Sequence, residues 1–381
     1  MNILLVMDQF DAANNGTTIS ARRFAAGLRQ RGHEVRVVAC GGPARDKYEV
    51  PAIHFTPIVD GIIRSQGMRL AMPKKKVLRE ALAWADVAHF MMPFALSRGG
   101  LKLAEQMGVP HTAAFHVQPE NITYTLGLGR SARLNDAIYR ELRDDFYDRF
   151  THIHCPSDFI AGELKKHGYK AAVHVISNGI SPRFCYRKRG KTSALQGKEV
   201  VMMIGRLSNE KRQDVLIDAV SRCRHRDSIQ LVLAGQGPKK AALERQGRRL
   251  PNPPIFGFFP EERLRELLSM TDLYVHASDA EIEAISCIEA FASGLVPVIA
   301  DSPKSATPQF ALDRRSLFAA GDSVDLASRI DYWLDHPAER RGMELRYAEA
   351  GRRYHLDVCV AQAEEMFRAA IAEAGKAVEK A

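Results

Sequence analysis

The sequence lacks a long apolar run, a paired set of cysteines and a complete nucleotide-fold signature, and each absence removes a class of protein. No segment reaches the roughly 18 to 20 continuous apolar residues of a membrane-spanning helix. The six cysteines, Cys40, Cys155, Cys185, Cys223, Cys287 and Cys359, are scattered without a C-x-x-C pair, which argues against a disulfide framework and a thiolate metal cluster. No G-x-x-x-x-G-K-[ST] pattern occurs, and "AGQGPKK" holds a G-x-G without the rest of the dinucleotide fingerprint. ATPase and nucleotide-cofactor readings therefore lose ground. The start "MNILLVMD" has no basic region, long apolar core or cleavage site of a signal peptide, so the cytoplasm is expected. Aromatic stacking sets and recognised nucleic-acid modules are also missing, which weighs against a nucleic-acid partner.

What is present is an ordinary folded composition, 46% hydrophobic and 26% charged. At 381 residues the chain exceeds the usual size of one core, so two domains are expected. Runs of Val, Ile, Leu and Ala alternate with amphipathic segments throughout. "NILLVM", "TTISARRFAAGLRQRGH" and "EVRVVAC" read as strand, helix, strand over a buried parallel sheet. "DVAHFM", "HTAAFH" and "THIHCPS" continue the pattern, which restarts at "EVVMMIGR" and goes on through "IQLVLAG", "DLYVHAS" and "VPVIAD". Two doubly wound, Rossmann-like α/β domains fit best. Residues 177–198, rich in Gly, Ser, Pro and cations, read as a linker. The expected division is 1–180, 181–358 and a terminal amphipathic helix, 359–381, that can pack back on the first domain. The net charge of +9 points to anionic partners.

In open parallel sheets ligands bind where strands end and helices begin, because helix N-termini present free N–H groups and partial positive charge. Three places qualify. "NNGTTIS" offers Gly16 for close backbone approach and Thr17 or Thr18 as a cap. "GRLSNEK" sets Arg206 and Lys211 across a turn, a fork and a point charge suited to a diphosphate. "SDAEIEAISCIEAFASGLVPVIADS" crowds Asp279, Glu281, Glu283 and Glu289 around a helix start. There the N–H groups of Ala284, Ile285 and Ser286 would meet a phosphate, while the carboxylates accept from sugar or ribose hydroxyls.

The Glu281/Glu289 E-x7-E pair, with "GRLSNEK", "LAGQGP", "VISNGI" and "RGHEVRVV" in order, resembles glycosyltransferase family 4, retaining nucleotide-sugar transferases of GT-B fold. The resemblance implies two Rossmann-like domains facing a donor cleft. It implies that Glu289 binds the donor ribose, Glu281 contacts the transferred sugar, Arg206 and Lys211 neutralise the leaving diphosphate, and Gly16 lies near it. Gly257 and Phe258, in "IFGFFP", fall where the family holds the base, and His116 matches a histidine beside the reacting sugar. Two departures stand out: the usual E-x-F-G reads "EIEA", and the usual Gly-Gly segment reads "DSPKSATPQF".

A glycolipid-synthesising subgroup, diacylglycerol glucosyltransferase-like, is similar in "EIEAISCIEA" and "FHVQPEN". Residues 62–79 then gain meaning: Arg64, Arg69, Lys74, Lys75, Lys76 and Arg79 lie among apolar residues with no acid. Such a surface suits an anionic bilayer. The expected enzyme moves a hexose, glucose foremost, from a UDP-sugar to a lipid such as diacylglycerol. It would need no cofactor or metal and would sit peripherally on the inner face of the cell membrane. A soluble sugar or sugar-phosphate acceptor, and a UDP-sugar isomerase on the same fold, remain as alternatives.

Overall fold

A computed structural model describes residues 1–11, 16–56, 60, 61, 63, 68–125 and 131–379. The chain divides into two compact units, one of Met1–Thr123, Arg130–Gly179 and Leu356–Ala381, the other of Tyr124–Gly129 and Ile180–His355. The main crossings thus fall after Gly179 and after His355, rather than after 180 and 358.

The first unit is built on β1 (Asn2–Gln9), β2 (Glu34–Cys40), β3 (Lys47–Glu49), β4 (Val87–Phe90), β5 (His111–Ala114), β6 (His152–Cys155) and β7 (Ala172–Val175). They form one sheet in the order β3-β2-β1-β4-β5-β6-β7, with every pairing parallel. The β1 core residues Ile3, Leu4 and Val6 are fully buried, which is why the strand reads as an unbroken apolar run rather than an alternating one.

The second unit repeats the design with β8 (Glu199–Ile204), β9 (Ile229–Ala234), β10 (Ile255–Gly257), β11 (Leu273–His276), β12 (Pro297–Asp301) and β13 (Leu317–Ala319). Their order is β10-β9-β8-β11-β12-β13, again all parallel. In each sheet the winding reverses beside the first strand, between β1 and β4 and between β8 and β11. Crevices at the strand ends there are where this class of sheet binds ligands. Each unit is a Rossmann-like, doubly wound parallel sheet.

The helix Leu356–Glu379 returns to the first unit, adding Cys359, Val360, Ala363, Met366 and Phe367 to its apolar core. Glu364 holds Arg31 at 2.7 Å, and a β-carbon on Gly27 would stand 2.7 Å from Val360 Cγ2, so that glycine lets the two helices close up. The expected linker is largely part of the second unit: Phe184 is buried, and Lys188 and Lys191 pair with Glu344 and Asp272 at 3.0 and 2.6 Å. Among the described residues no helix is long and apolar enough to cross a membrane. Of the expected membrane-facing cations, Arg64 lies outside the described residues, while Arg69, Lys74, Lys75 and Lys76 are exposed.

Candidate active site

In the second unit, the residues after β8 and β11 meet. β8 runs into Gly205 and Arg206, and the turn Asn209–Lys211 lays the Lys211 stem over Gly205, its Cδ 3.7 Å from where a β-carbon would stand. The Lys211 ammonium hydrogen-bonds Glu281 Oε1, and His276 Nε2 stands 2.9 Å from the same oxygen. Burial alone would push the Glu281 carboxyl up, but the Lys211 charge and the His276 hydrogen bond outweigh it and hold it well below the usual carboxylate range. An ionised carboxylate only accepts, so His276 Nε2 carries the proton. His276 Nδ1 is 3.2 Å from Tyr274 Oη, which is 3.3 Å from Ser286 Oγ, and that hydroxyl donates to the Ile204 carbonyl at 3.1 Å. The chain of groups joins the Glu281 carboxylate to the start of the helix Ile285–Ala292.

That helix begins without a side-chain cap. Its first residue in the flank, Ala284, has φ 66, and Arg212, beside Lys211, has φ 54; they are the two non-glycine residues with positive φ among the described residues. Backbone held in this region costs of order 1–3 kcal/mol and persists where the surroundings over-determine it. Here they do. Asp279 donates its N–H to the Glu210 carbonyl at 2.8 Å and its carboxylate pairs with Arg212 at 3.1 Å. Ser302 Oγ donates to the Asp279 carbonyl at 2.5 Å, and Ala306 N–H to the Glu281 carbonyl at 2.9 Å. Glu283 and Glu289 are buried beside this loop.

The glycines of "AGQGP" have a role of another kind from phosphate binding. A β-carbon on Gly235 would stand 1.9 Å from the Gly205 oxygen, and one on Gly237 2.3 Å from the Leu207 oxygen, so they let the loop after β9 press against the loop after β8. On the other side, Gly257 lies under the Phe259 ring, and Phe258 is 73% exposed, an open aromatic face at the end of β10.

In the first unit, Gly16 opens the helix Gly16–Gln30, and among the described residues no atom lies within 4 Å of where its β-carbon would be. The Thr18 hydroxyl donates back to the Gln9 carbonyl at 3.4 Å. His116 packs edge-on against His154, with ring centroids 5.3 Å apart, and His154 stacks on His89 at 6.0 Å. The three line a small cavity of about 20 Å³ with Phe24 and Phe367. Burial first, then the neighbouring His154, brings the His116 imidazole down to about 3, and burial brings His154 down to about 4. His116 Nε2 is buried without a hydrogen-bond partner among the described residues. A neutral imidazole in that setting can accept or donate one hydrogen bond; it does not supply a cation.

The chain matches the family model described as Glycosyltransferase Family 4 over residues 14–184, and that described as Glycosyl transferases group 1 over residues 187–353. It belongs to glycosyltransferase family 4. A GDP-mannose-dependent alpha-mannosyltransferase of Mycolicibacterium smegmatis is 27% identical over 93% of this chain and 92% of its own length. An alpha-monoglucosyldiacylglycerol synthase of Streptococcus pneumoniae is 24% identical over 79% of this chain and 71% of its own. Among solved structures, Anabaena HepE in complex with UDP and glucose shares the fold at TM-score 0.72 and 17% identity, covering 97% of this chain and 100% of that one.

As a family 4 enzyme the protein is a hexosyltransferase, and its departures from the family pattern acquire a physical reading. The E-x-F-G glycine falls at Ala284, where φ is positive, so the family residue is the one that costs least there and this chain bears strain instead. In the "DSPKSATPQF" segment, Ser302 and Ser305 tie down the Glu281 loop through the Ser302 hydroxyl and a bridge from Ser305 to Glu281. His276 and Arg212 were not singled out from the sequence. A buried histidine on an apolar strand looks like core, and nothing in "NEKRQD" marks Arg212 for a left-handed backbone.

Proposed function

We propose that this protein is a retaining, metal-independent glycosyltransferase that moves a hexose, glucose foremost, from a UDP-sugar to a membrane lipid acceptor such as diacylglycerol. The observation that carries the transfer chemistry is Glu281, locked between Lys211 and His276 beside the uncapped start of the helix Ile285–Ala292. A carboxylate held ionised is a strong acceptor for hydroxyls of the transferred sugar. Arg206, Lys211 and the N–H groups of Ile285 and Ser286 are suited to the diphosphate, whose charge grows as the bond to the anomeric carbon breaks. The acceptor oxygen bonds to that carbon from the face the diphosphate leaves, and its proton passes to the departing phosphate oxygen. Glu289 is assigned to the ribose, Phe258 and Gly257 to the base, and Gly16 and His116 to the diphosphate and the reacting sugar.

The lipid acceptor draws support from relatives named as alpha-monoglucosyldiacylglycerol synthases and from the surface around Lys74. The helix Lys75–Trp84 opens on Lys75 and Lys76 with no acid in its first turn, the arrangement that a helix dipole disfavours. Exposed Met72 lies beside them. Cations placed against the local preference, next to an exposed apolar side chain, fit a peripheral contact with an anionic bilayer on the cytoplasmic side.

The test is incubation with a panel of UDP- and GDP-sugars and a lipid extract, followed by mass spectrometry of the lipids. A hexosylated lipid from a UDP-sugar, undiminished by EDTA, is expected. Transfer from GDP-mannose would favour the donor named for the mycobacterial relatives. Transfer confined to water-soluble acceptors would remove the lipid, and interconversion of the UDP-sugar without any acceptor would leave the isomerase.

A further inference from the structure

The segment after the crossing into the second unit is strongly basic, and its side chains sort by position. Residues 184–190 have no regular secondary structure. Phe184 turns inward and is buried, and Lys188 pairs with Glu344 at 3.0 Å. Arg183, Cys185, Arg187 and Arg189 line a common cavity of about 90 Å³, several times the space one water needs.

The floor of this cavity is fixed. Arg265, from the helix Glu261–Met270, lines it as a fourth guanidinium and donates from Nε to the Arg183 carbonyl at 3.2 Å. Arg189 donates its N–H to the Ser269 carbonyl at 3.0 Å. Ser293, the C-cap of the helix Ile285–Ala292, closes one side. Of the two acids present, Glu266 is bridged by Arg263 at 2.7 Å, which leaves Glu262. Among the described residues no ion pair joins Arg183, Arg187 or Arg189 to an acid, whereas Lys188 and Lys191 in the same segment each have one.

We propose that this cavity is a binding site for a phosphate group, distinct from the site around Glu281. Four arginines line one cavity that holds a single uncommitted carboxylate, an excess of positive charge that favours an anion there. The planar fork of arginine matches phosphate oxygens two at a time. The cavity takes a phosphate and not a nucleotide. A phospholipid headgroup and a free phosphate present the same chemistry here, and the experiment separates them.

Cys185 serves as a reporter, because it is exposed and the other five cysteines are buried. Its rate of alkylation by neutral iodoacetamide, located by peptide mass spectrometry, is measured with added inorganic phosphate. The site predicts saturable slowing, about tenfold at ten times the phosphate Kd, with sodium chloride at matched ionic strength having no such effect. R187A/R189A is expected to lose the protection, while R187K/R189K, which keeps the charge and loses the fork, keeps part of it. Slowing by phosphatidylglycerol vesicles, not by phosphatidylcholine vesicles, assigns the site to a lipid headgroup; slowing by phosphate alone assigns it to a free phosphate. No slowing by either, equal slowing by chloride, or protection that persists in R187A/R189A overturns the proposal. Turnover plays no part in the readout, so the result stands whatever the donor or acceptor proves to be.

Discussion

The two units share a strand order over six strands and differ in what they bury on and beside their central strands. On β4 and β6 and just beyond β5, the first unit seals three imidazoles, His89, His154 and His116, against one another and against Phe24 and Phe367. Beyond β8 and β11 the second unit seals a carboxylate against an ammonium and an imidazole. In the first, burial drives the groups neutral; in the second, an opposite charge overrides burial and keeps the group ionised. One topology therefore supports two opposite electrostatic designs, and the chemistry follows from the side chains at the strand ends, not from the sheet.

The comparison is broken most directly at its charged centre. Glu281→Gln is expected to lower kcat about 10²–10³-fold, the scale for removing one preorganised electrostatic contact in the transition state, and His116→Gln to cost less. Equal losses in steady-state kinetics would mean that the two strand ends contribute alike.

Acid should separate the units next. The three imidazoles have lowered folded-state values, so the unfolded chain binds their protons first and stability is lost as pH falls below about 6.5. Asp8, raised to about 7 by burial against the opposing Ala71 hydrogen bond, acts in the other sense over the same range. His174, also lowered by burial, joins the imidazoles, and Glu120, also raised by burial, joins Asp8; four groups against two give a net loss of up to about 3 kcal/mol per pH unit. Glu281, depressed instead, holds its contribution until the pH drops below the ordinary carboxylate range. Each unit carries one of the two tryptophans, Trp84 and Trp333. Single-tryptophan variants followed by fluorescence during acid titration should report the Trp84 unit first, and simultaneous transitions would refute the contrast.

Smaller again, Lys211→Ala should weaken UDP binding by about 1.5–3 kcal/mol, the range for a hydrogen bond to a charged group. Calorimetry measures it, and unchanged affinity would confine Lys211 to holding Glu281. Least of all, Ala284→Gly should raise the stability of the second unit by about 1 kcal/mol, the strain of an alanine in the left-handed region less the added freedom of the unfolded chain. An unchanged or lower Tm would show that the loop sets that conformation without strain.

Much of this was legible in the sequence. Strands buried on both faces announce themselves as apolar runs, so β1, β2, β4, β5, β6, β8, β9, β11 and β12 were each visible. The four that were not, β3, β7, β10 and β13, are the sheet edges. They are short and partly exposed, as β3 and β7 show, and an edge strand has neither the length nor the two-sided burial that makes a pattern. The Glu281 and Glu289 spacing and the helix start were readable because they are local. The pairing of Lys211 with Glu281 was not, since it spans 70 positions and exists only because β8 and β11 are neighbours. The histidine cluster is hidden for the same reason, its members arriving on separate strands or just beyond them.

The return of the helix Leu356–Glu379 to the first sheet bears on how the chain is made. A ribosome releases nearly all of the second unit, Ile180–His355, as one continuous stretch, able to close once it emerges. The first unit, begun earlier, must wait with a groove where Val360, Met366 and Phe367 belong. The usual N-terminus-first order of co-translational folding is thus inverted for its final step. During that interval the nascent chain exposes the face that holds Phe24 and Leu28, and this is where a chaperone would find its grip.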